Sequence, residues 1–296
     1  MRVVFSSIFY PVFMGGYILA ALKRRKDVEL FTTGPFTGDW IPWNGGMTVK
    51  AKFKPDLPMP SQWIGMRPPI AYVESKLPWK ADVWIQVDAG FYLEGYPLYG
   101  VNCFVATDPH VLSYDRQRLL ADKFFCMQQV YAKPGDLYLP YAYDPEWHRP
   151  EKQPKEFDAC LIGLHYQQRD ALVNALKAKG RSVYYNIGPA YEQARAFYNQ
   201  SKIGLNWSSL QDLNARAFEL LAFGLPAVMN RVPDMTGFFR DGVDYMGFDS
   251  LEEAVQAAEY LLDNPKLADQ IAKSGRKAVA PHTWDARVEE ILSKCQ

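Results

Sequence analysis

The chain has 296 residues, 48% hydrophobic and 22% charged, with 33 basic and 33 acidic side chains and a formal net charge of zero. That is apolar enough to fill two domain cores and excludes a disordered tail. The balanced charge offers no global field to draw in nucleic acid or an anionic membrane, and no stretch nears the roughly 18 apolar residues that span a bilayer.

Val3 to Phe5 predicts a strand, followed by a loop holding Gly15 and Gly16 and a helix from about Tyr17 to Lys26. The Lys23-Arg24-Arg25-Lys26 run suits that helix's negative end. A second strand at Val28–Phe31 completes a β-loop-α-β opening, as in a parallel sheet. The paired glycines would let a ligand come close to the backbone in a cleft loop. Residues 33–69, rich in Gly, Pro and Trp, have no clear period and read as an insertion or long loops of the kind that carry specificity. Further strands are expected at 70–73, 83–87, 102–106 and 124–127, with a helix from Tyr114 to Ala121. Two acidic loops follow strands and compete for a catalytic role, Asp88-Ala89-Gly90 and Asp108-Pro109-His110. Proline and polar residues concentrate from Leu139 to Pro154, so a first domain is drawn at 1–148 and a second at 149–283.

The second half alternates strand and helix: strands at 158–163, 182–187, 202–206 and 225–229, helices at 168–179, 191–200 and 214–223. This pattern predicts a doubly wound parallel sheet. Ser250-Leu251-Glu252-Glu253 is a capping box, and Asn264-Pro265 sets a cap residue before a proline at the first helical position. A last helix begins near Trp284, giving a third segment, 284–296.

Ligands of open α/β sheets bind beyond the strands' carboxyl ends. The most informative loop runs from Asn206 through Ser208 to a helix starting near Asn214. Unpaired amides and the positive end of the dipole make such a helix start an anion site. Arg216 stands in its first turn and Glu219 one turn in, where a carboxylate can accept bonds from a sugar diol. Gly163, His165 and Arg169 follow the first strand of this half and are candidate phosphate contacts; Tyr185 and Asn186 end the second strand. A surface carboxylate favoured by the helix dipole is the plainer account of Glu219, and a solvated helix residue that of Arg169.

The blocks Asn214-x-Arg216-x-Phe218-Glu219-x-x-Ala222-x-Gly224-x-Pro226, Phe238-Phe239-Arg240-Asp241-Gly242, Leu261-Leu262-Asp263-Asn264-Pro265, Ile271-Ala272-Lys273-Ser274-Gly275-Arg276 and His282-Thr283-Trp284-x-x-Arg287 resemble the C-terminal half of GT-B glycosyltransferases, in particular the CgeB-like branch. The likeness covers most of residues 158 to 290. It implies two facing Rossmann-like doubly wound domains, an acceptor in the first and a nucleotide-sugar, a UDP-sugar by family habit, in the second. The C-terminal helix would return to the first domain. Glu219 would hold the ribose, Arg216 and the helix amides near Asn214 the diphosphate, and Tyr185 and Asn186 the base. Asp108 and His110 resemble an Asp-x-His segment of the same branch and are expected at the reacting centre, with Asp88 as second choice. Many retaining relatives carry a further acid eight residues before Glu219; Gln211 stands there, which leaves retention or inversion open.

No Asp-x-Asp occurs, the four histidines (His110, His148, His165, His282) lack ligand spacing, and neither G-x-G-x-x-G nor a P-loop is present, so no metal or cofactor beyond the co-substrate is expected. Cys103, Cys126, Cys160 and Cys295 form no C-x-x-C pair and predict reduced thiols; with no signal-peptide pattern, the cytoplasm is the expected setting, for a chain encoded by a host cell or by a virus. The acceptor is open among a small molecule, a glycan, a protein and a hydroxymethylated phage DNA base. Lys50, Lys52, Lys54, Arg67, Lys76 and Lys80 among tryptophans are compatible with DNA, as they are with a solvated loop. A nucleotide-sugar epimerase and a catalytically degenerate binding or structural protein are the alternatives.

Overall fold

The computed structural model describes residues 1–10, 13–43, 47–87, 90–187, 189–210 and 212–295. Asp88, Gly188 and Gln211 lie outside the described residues. The chain forms two compact units, Met1–Pro140 with Trp284–Gln296, and Tyr141–Thr283.

The first unit runs β1 (Arg2–Ser6), α1 (Gly15–Arg24), β2 (Glu29–Pro35), β3 (Trp40–Trp43), β4 (Met47–Lys50), β5 (Leu57–Met59), α2 (Ile70–Glu74), β6 (Val83–Val87), β7 (Val101–Ala106), α3 (Asp115–Leu120), β8 (Lys123–Cys126) and β9 (Leu137–Tyr138). Its seven-stranded sheet has the order β5-β2-β1-β6-β7-β8-β9, with parallel pairing throughout. β6 is buried along its whole length, as a central strand covered on both faces should be. The 33–69 stretch is more ordered than its composition suggests: β3 and β4 pair as an antiparallel hairpin, and β5 adds a parallel edge strand to β2.

The expected strand at 70–73 is instead the helix α2. Ile70 and Val73 are its buried residues, a spacing of three that fits one helical face and would split across a strand. Pro68 and Pro69 precede it in extended backbone tied to Glu94, with Glu94 N–H on the Pro68 carbonyl at 2.9 Å and Ile70 N–H on the Glu94 carbonyl at 2.8 Å.

The second unit runs β10 (Phe157–Ile162), α4 (Gln167–Ala178), β11 (Val183–Asn186), α5 (Glu192–Asn199), β12 (Ser201–Asn206), α6 (Ala215–Ala222), β13 (Ala227–Asn230), β14 (Met246–Phe248), α7 (Leu251–Asp263) and α8 (Pro265–Val279). All its strands pair in parallel, in the order β11-β10-β12-β13-β14. The direction of winding therefore reverses between β10 and β12. A core of Leu161, Leu172, Leu176, Ile203, Leu205, Val228 and Phe248 packs this sheet against α4 and α7. Ser250 caps α7, its hydroxyl accepting from Glu253 N–H at 3.2 Å, while Glu253 accepts from Asp249 N–H at 2.9 Å.

The last helix, α9 (Trp284–Ser293), belongs to the first unit. Trp284 is wholly buried and stacks on Tyr17 of α1, with ring centroids 6.1 Å apart. Arg24 grips Asp285 through two bonds of 2.8 Å. Two of the four scattered cysteines meet here: the thiols of Cys103 on β7 and Cys295 after α9 lie 2.9 Å apart, both buried.

Candidate functional site

The crevice between β10 and β12, where the winding reverses, is the position at which an open parallel sheet receives a ligand. Three loops fix its floor. Asn206, the last residue of β12, donates through Nδ2 to Asn214 Oδ1 at 3.1 Å, joining the two ends of the loop between them. Inside it, Ser208 N–H donates to Asn230 Oδ1 at 2.7 Å, and the Ser208 hydroxyl donates to Asp212. From α4, Arg169 Nε donates to the Trp207 carbonyl at 2.9 Å, joined by the Tyr166 hydroxyl.

Arg169 is buried, and burial lowers its pKa. Its guanidinium serves two carbonyls, Trp207 and Leu164, the second at 3.2 Å, and lies over the Tyr166 ring. Gly163 makes room for it: a Cβ there would come within 2.5 Å of Arg169 Nη1. His165 is half-exposed beside it, 3.2 Å from Asp170 and with its ring centroid 4.0 Å from that of Tyr185. Asn186 Oδ1 accepts from Ile187 N–H at 2.7 Å, and the Asn186 carbonyl accepts from Gly163 N–H at 3.1 Å.

α6 starts at this crevice. Asn214 is its N-cap in extended backbone, and its side chain makes no capping bond to the first turn; its Oδ1 accepts from Asn206 Nδ2 instead. The first turn points its amides and the dipole's positive end at the loop. Gly224, in left-handed backbone at φ 68°, ends the helix.

One turn into α6, Glu219 is only 7% exposed, so it is not a solvated surface carboxylate. Its oxygens lie 3.5 Å from Arg216 Nε and 3.7 Å from His148 Nε2. These are ion-pair separations, and a carboxylate with about four lone-pair sites keeps acceptor capacity beyond them. Arg216 donates through Nη1 to the Tyr198 hydroxyl. Tyr198 stacks on Phe223, and His148 meets Phe223 edge-on. His148 Nδ1 accepts from Asp144 N–H at 2.9 Å, so the neutral ring carries its proton on Nε2, toward Glu219. Burial lowers the His148 pKa against the opposing pull of Glu219, and burial raises that of Tyr198 against the pull of Arg216.

His148, Tyr198 and Phe223 escape a reading of the sequence. His148 lies in a proline-bracketed segment, Asp144-Pro145-Glu146-Trp147-His148-Arg149-Pro150, where nothing in local spacing points to Glu219.

Gly15, Gly16, Asp108 and His110 belong to the first unit. Gly15 and Gly16 open α1 after β1, and a Cβ on either would press on the Phe13 ring at 3.2 Å. Asp108 follows β7 and accepts from the Thr107 hydroxyl at 2.8 Å; His110 Nδ1 lies 3.0 Å from Gln128 Nε2. The described residues hold no group of three or more His, Cys, Asp or Glu side chains arranged for a metal, and no helix among them is long and apolar enough to cross a membrane.

Comparison with known structures gives the fold. An alpha-glucosyltransferase solved with UDP-glucose and DNA containing an abasic site has a TM-score of 0.67 at 12% identity, covering 99% of this chain and 98% of that one. A sucrose-phosphate synthase from Thermosynechococcus elongatus gives 0.63 at 12% identity, with 99% and 98% covered. A glycosyltransferase from Rickettsia africae gives 0.63 at 10% identity, with 99% and 97% covered. The shared fold is GT-B. No curated protein matches the chain by sequence. The family model described as glycosyl transferase-like matches residues 146–293. That span begins two residues before His148 and takes in Tyr198, Arg216 and Glu219; the buried cluster thus falls inside the family's own boundaries, and the chain belongs to the glycosyl transferase-like family.

Proposed function

We propose that this enzyme moves a glycosyl group from a nucleoside diphosphate sugar, a uridine nucleotide foremost, to an acceptor hydroxyl. The observation that carries the reading is the start of α6 at the point where the sheet's winding reverses, with no capping bond from Asn214 and with buried Glu219 one turn inside. The α6 amides, Ser208 and Asn214 take the diphosphate, with Arg216 completing the positive field. Glu219 accepts from the ribose diol. His165, Tyr185 and Asn186 lie along the base side, and Gly163 with Arg169 holds the loops in register. Among the solved relatives, the alpha-glucosyltransferase with UDP-glucose supports the choice of nucleotide.

Departure of the diphosphate builds negative charge that preorganised donors stabilise, and the acceptor hydroxyl must lose a proton. The helix start and Arg216 meet the first need without a metal, so a chelator is expected to leave the rate unchanged; a rate restored only by added divalent cation would contradict this. Asp108 with His110, or Asp88, meets the second. Incubation with a panel of nucleoside diphosphate sugars should release free nucleotide from one donor, and Glu219→Ala should abolish that release. No release from any donor, with or without cell extract as acceptor source, would sink the reading.

DNA is a second acceptor class. Lys50, Lys52 and Lys54 are all exposed along β4 and the segment after it, with Trp40 60% exposed under Lys50. Retardation of duplex DNA that weakens steeply with salt is then expected; no retardation at low salt would remove it.

A further inference from the structure

A second recess lies in the first unit, and none of its lining residues is assigned above to the donor. It has a volume of about 290 Å³ and is lined by Met66, Arg67, Gly90, Tyr92, Ser113 and Arg116, among others. Gly90 follows β6 and Ser113 follows β7, so the recess opens where these neighbouring parallel strands end, and it shares its β7 loop with Asp108. Its volume is at the lower end of small-molecule sites and suits a monosaccharide-sized ligand.

Its polar groups are incompletely used. Arg67 is exposed, with its guanidinium 5.2 Å from the Tyr92 ring centroid, and it has no hydrogen bond or ion pair among the described residues. The Tyr92 residue is only 4% exposed, and its buried hydroxyl faces the Glu94 carboxylate without closing a hydrogen bond to it. A buried polar atom left unsatisfied calls for a water or ligand group that the protein itself does not supply. Glu94 holds Arg116 through Oε1, with Nε at 2.8 Å, while its Oε2 is buried and unpartnered. Asp115, the acid on the recess wall, is taken by Lys133 at 2.5 Å. One guanidinium thus stays uncompensated, Arg116 is fixed in place, and the Tyr92 phenol and the Glu94 carboxylate oxygen face each other with the bond between them unclosed. That set matches one anionic group flanked by hydroxyls.

We propose that this recess seats the acceptor, and that the acceptor is a monosaccharide-sized molecule bearing a carboxylate or a phosphate monoester, held by Arg67 and Arg116 with Tyr92 donating to it. This deepens the transferase reading and rests on it for the word acceptor, though not for the binding itself. Calorimetric titration of the full chain with glucuronate, glucose 6-phosphate, inorganic phosphate and glucose tests it directly. At least one of the two sugar anions should saturate with affinity at least about tenfold above that of glucose. Whether it is glucuronate or glucose 6-phosphate tells carboxylate from phosphate, and either supports the proposal. Arg67→Gln, at an exposed side chain, should weaken that binding about tenfold or more, with Tyr92→Phe weakening it less. Both variants should keep nucleotide-sugar binding and thermal stability.

Equal affinity for glucose, binding of inorganic phosphate alone, displacement of the sugar anion by duplex DNA, or indifference to Arg67→Gln would each overturn the proposal. Anion binding by a chain that neither binds nor turns over any nucleotide-sugar would leave the recess intact and condemn the transferase reading instead.

Discussion

Glu219 sits where a charge is costly unless paired: it is nearly buried, between Arg216 and the Nε2 face of His148. The neutral tautomer of His148 is set by Asp144 N–H, and burial keeps the ring from protonating. Between that lowered pKa and the unfolded value near 6.5, the unfolded chain binds more protons than the folded one. Stability contributed by His148 is therefore complete above about pH 6.5 and falls as pH drops below it, by up to about 1.4 kcal/mol per pH unit. Denaturant unfolding at stepped pH should show this slope, and His148→Gln should flatten it; an unchanged slope would contradict the assignment. Gly163→Ala is a second test at this scale. The added methyl would displace Arg169 and loosen the loop around Trp207, costing about 1–3 kcal/mol and weakening donor binding. A variant of wild-type stability in thermal melts would show that the loop has room to spare. Glu219 and Arg216 could be found from the sequence because they follow a loop into a helix. His148 and Tyr198 could not, since only the folding of α5 and α6 against the Tyr141–Pro150 stretch brings them together.

Elements were legible in proportion to their length and periodicity. The alternation from β10 to β13 reads directly, because apolar strands are followed by helices with one apolar face. A short stretch such as Ile70–Glu74, four apolar residues and a glutamate, is too brief for period to separate strand from helix, and here the prolines and Glu94 decide. The three-residue β14 and two-residue β9 carry no pattern at all and exist through their neighbours. Caps are the opposite case. Ser250→Ala removes the bond to Glu253 N–H and should cost about 1 kcal/mol in chemical unfolding, with no effect on donor binding. α9 is held by Trp284 against Tyr17 and by Arg24 on Asp285, so Trp284→Ala should cost the first unit about 3–5 kcal/mol. Hydrogen exchange should localise that loss to Met1–Pro140 and α9; equal loss in the second unit would contradict the assignment.

At the scale of the whole molecule, the chain carries two parallel sheets, each with its own core, and leaves the second for the first again at Trp284. The strand–helix rhythm announces that architecture, and the blocks from Asn214 to Arg287 announce the family. What composition does not reveal is where unlike charges gather. A net charge of zero conceals both the Arg216–Glu219 cluster and the uncompensated Arg67. The central claim is that a nucleoside diphosphate sugar occupies the crevice between β10 and β12 with its ribose on Glu219. Thermal denaturation across a panel of nucleotide-sugars, wild type beside Glu219→Ala and Glu219→Gln, tests it most directly. A ligand at a hundredfold excess over its dissociation constant stabilises the folded state by about 2.7 kcal/mol, well above the scatter of such a panel. One uridine diphosphate sugar should raise the midpoint of the wild type, raise that of Glu219→Gln less, and leave Glu219→Ala unmoved. A flat wild-type panel, or a shift that persists in Glu219→Ala, would contradict the claim.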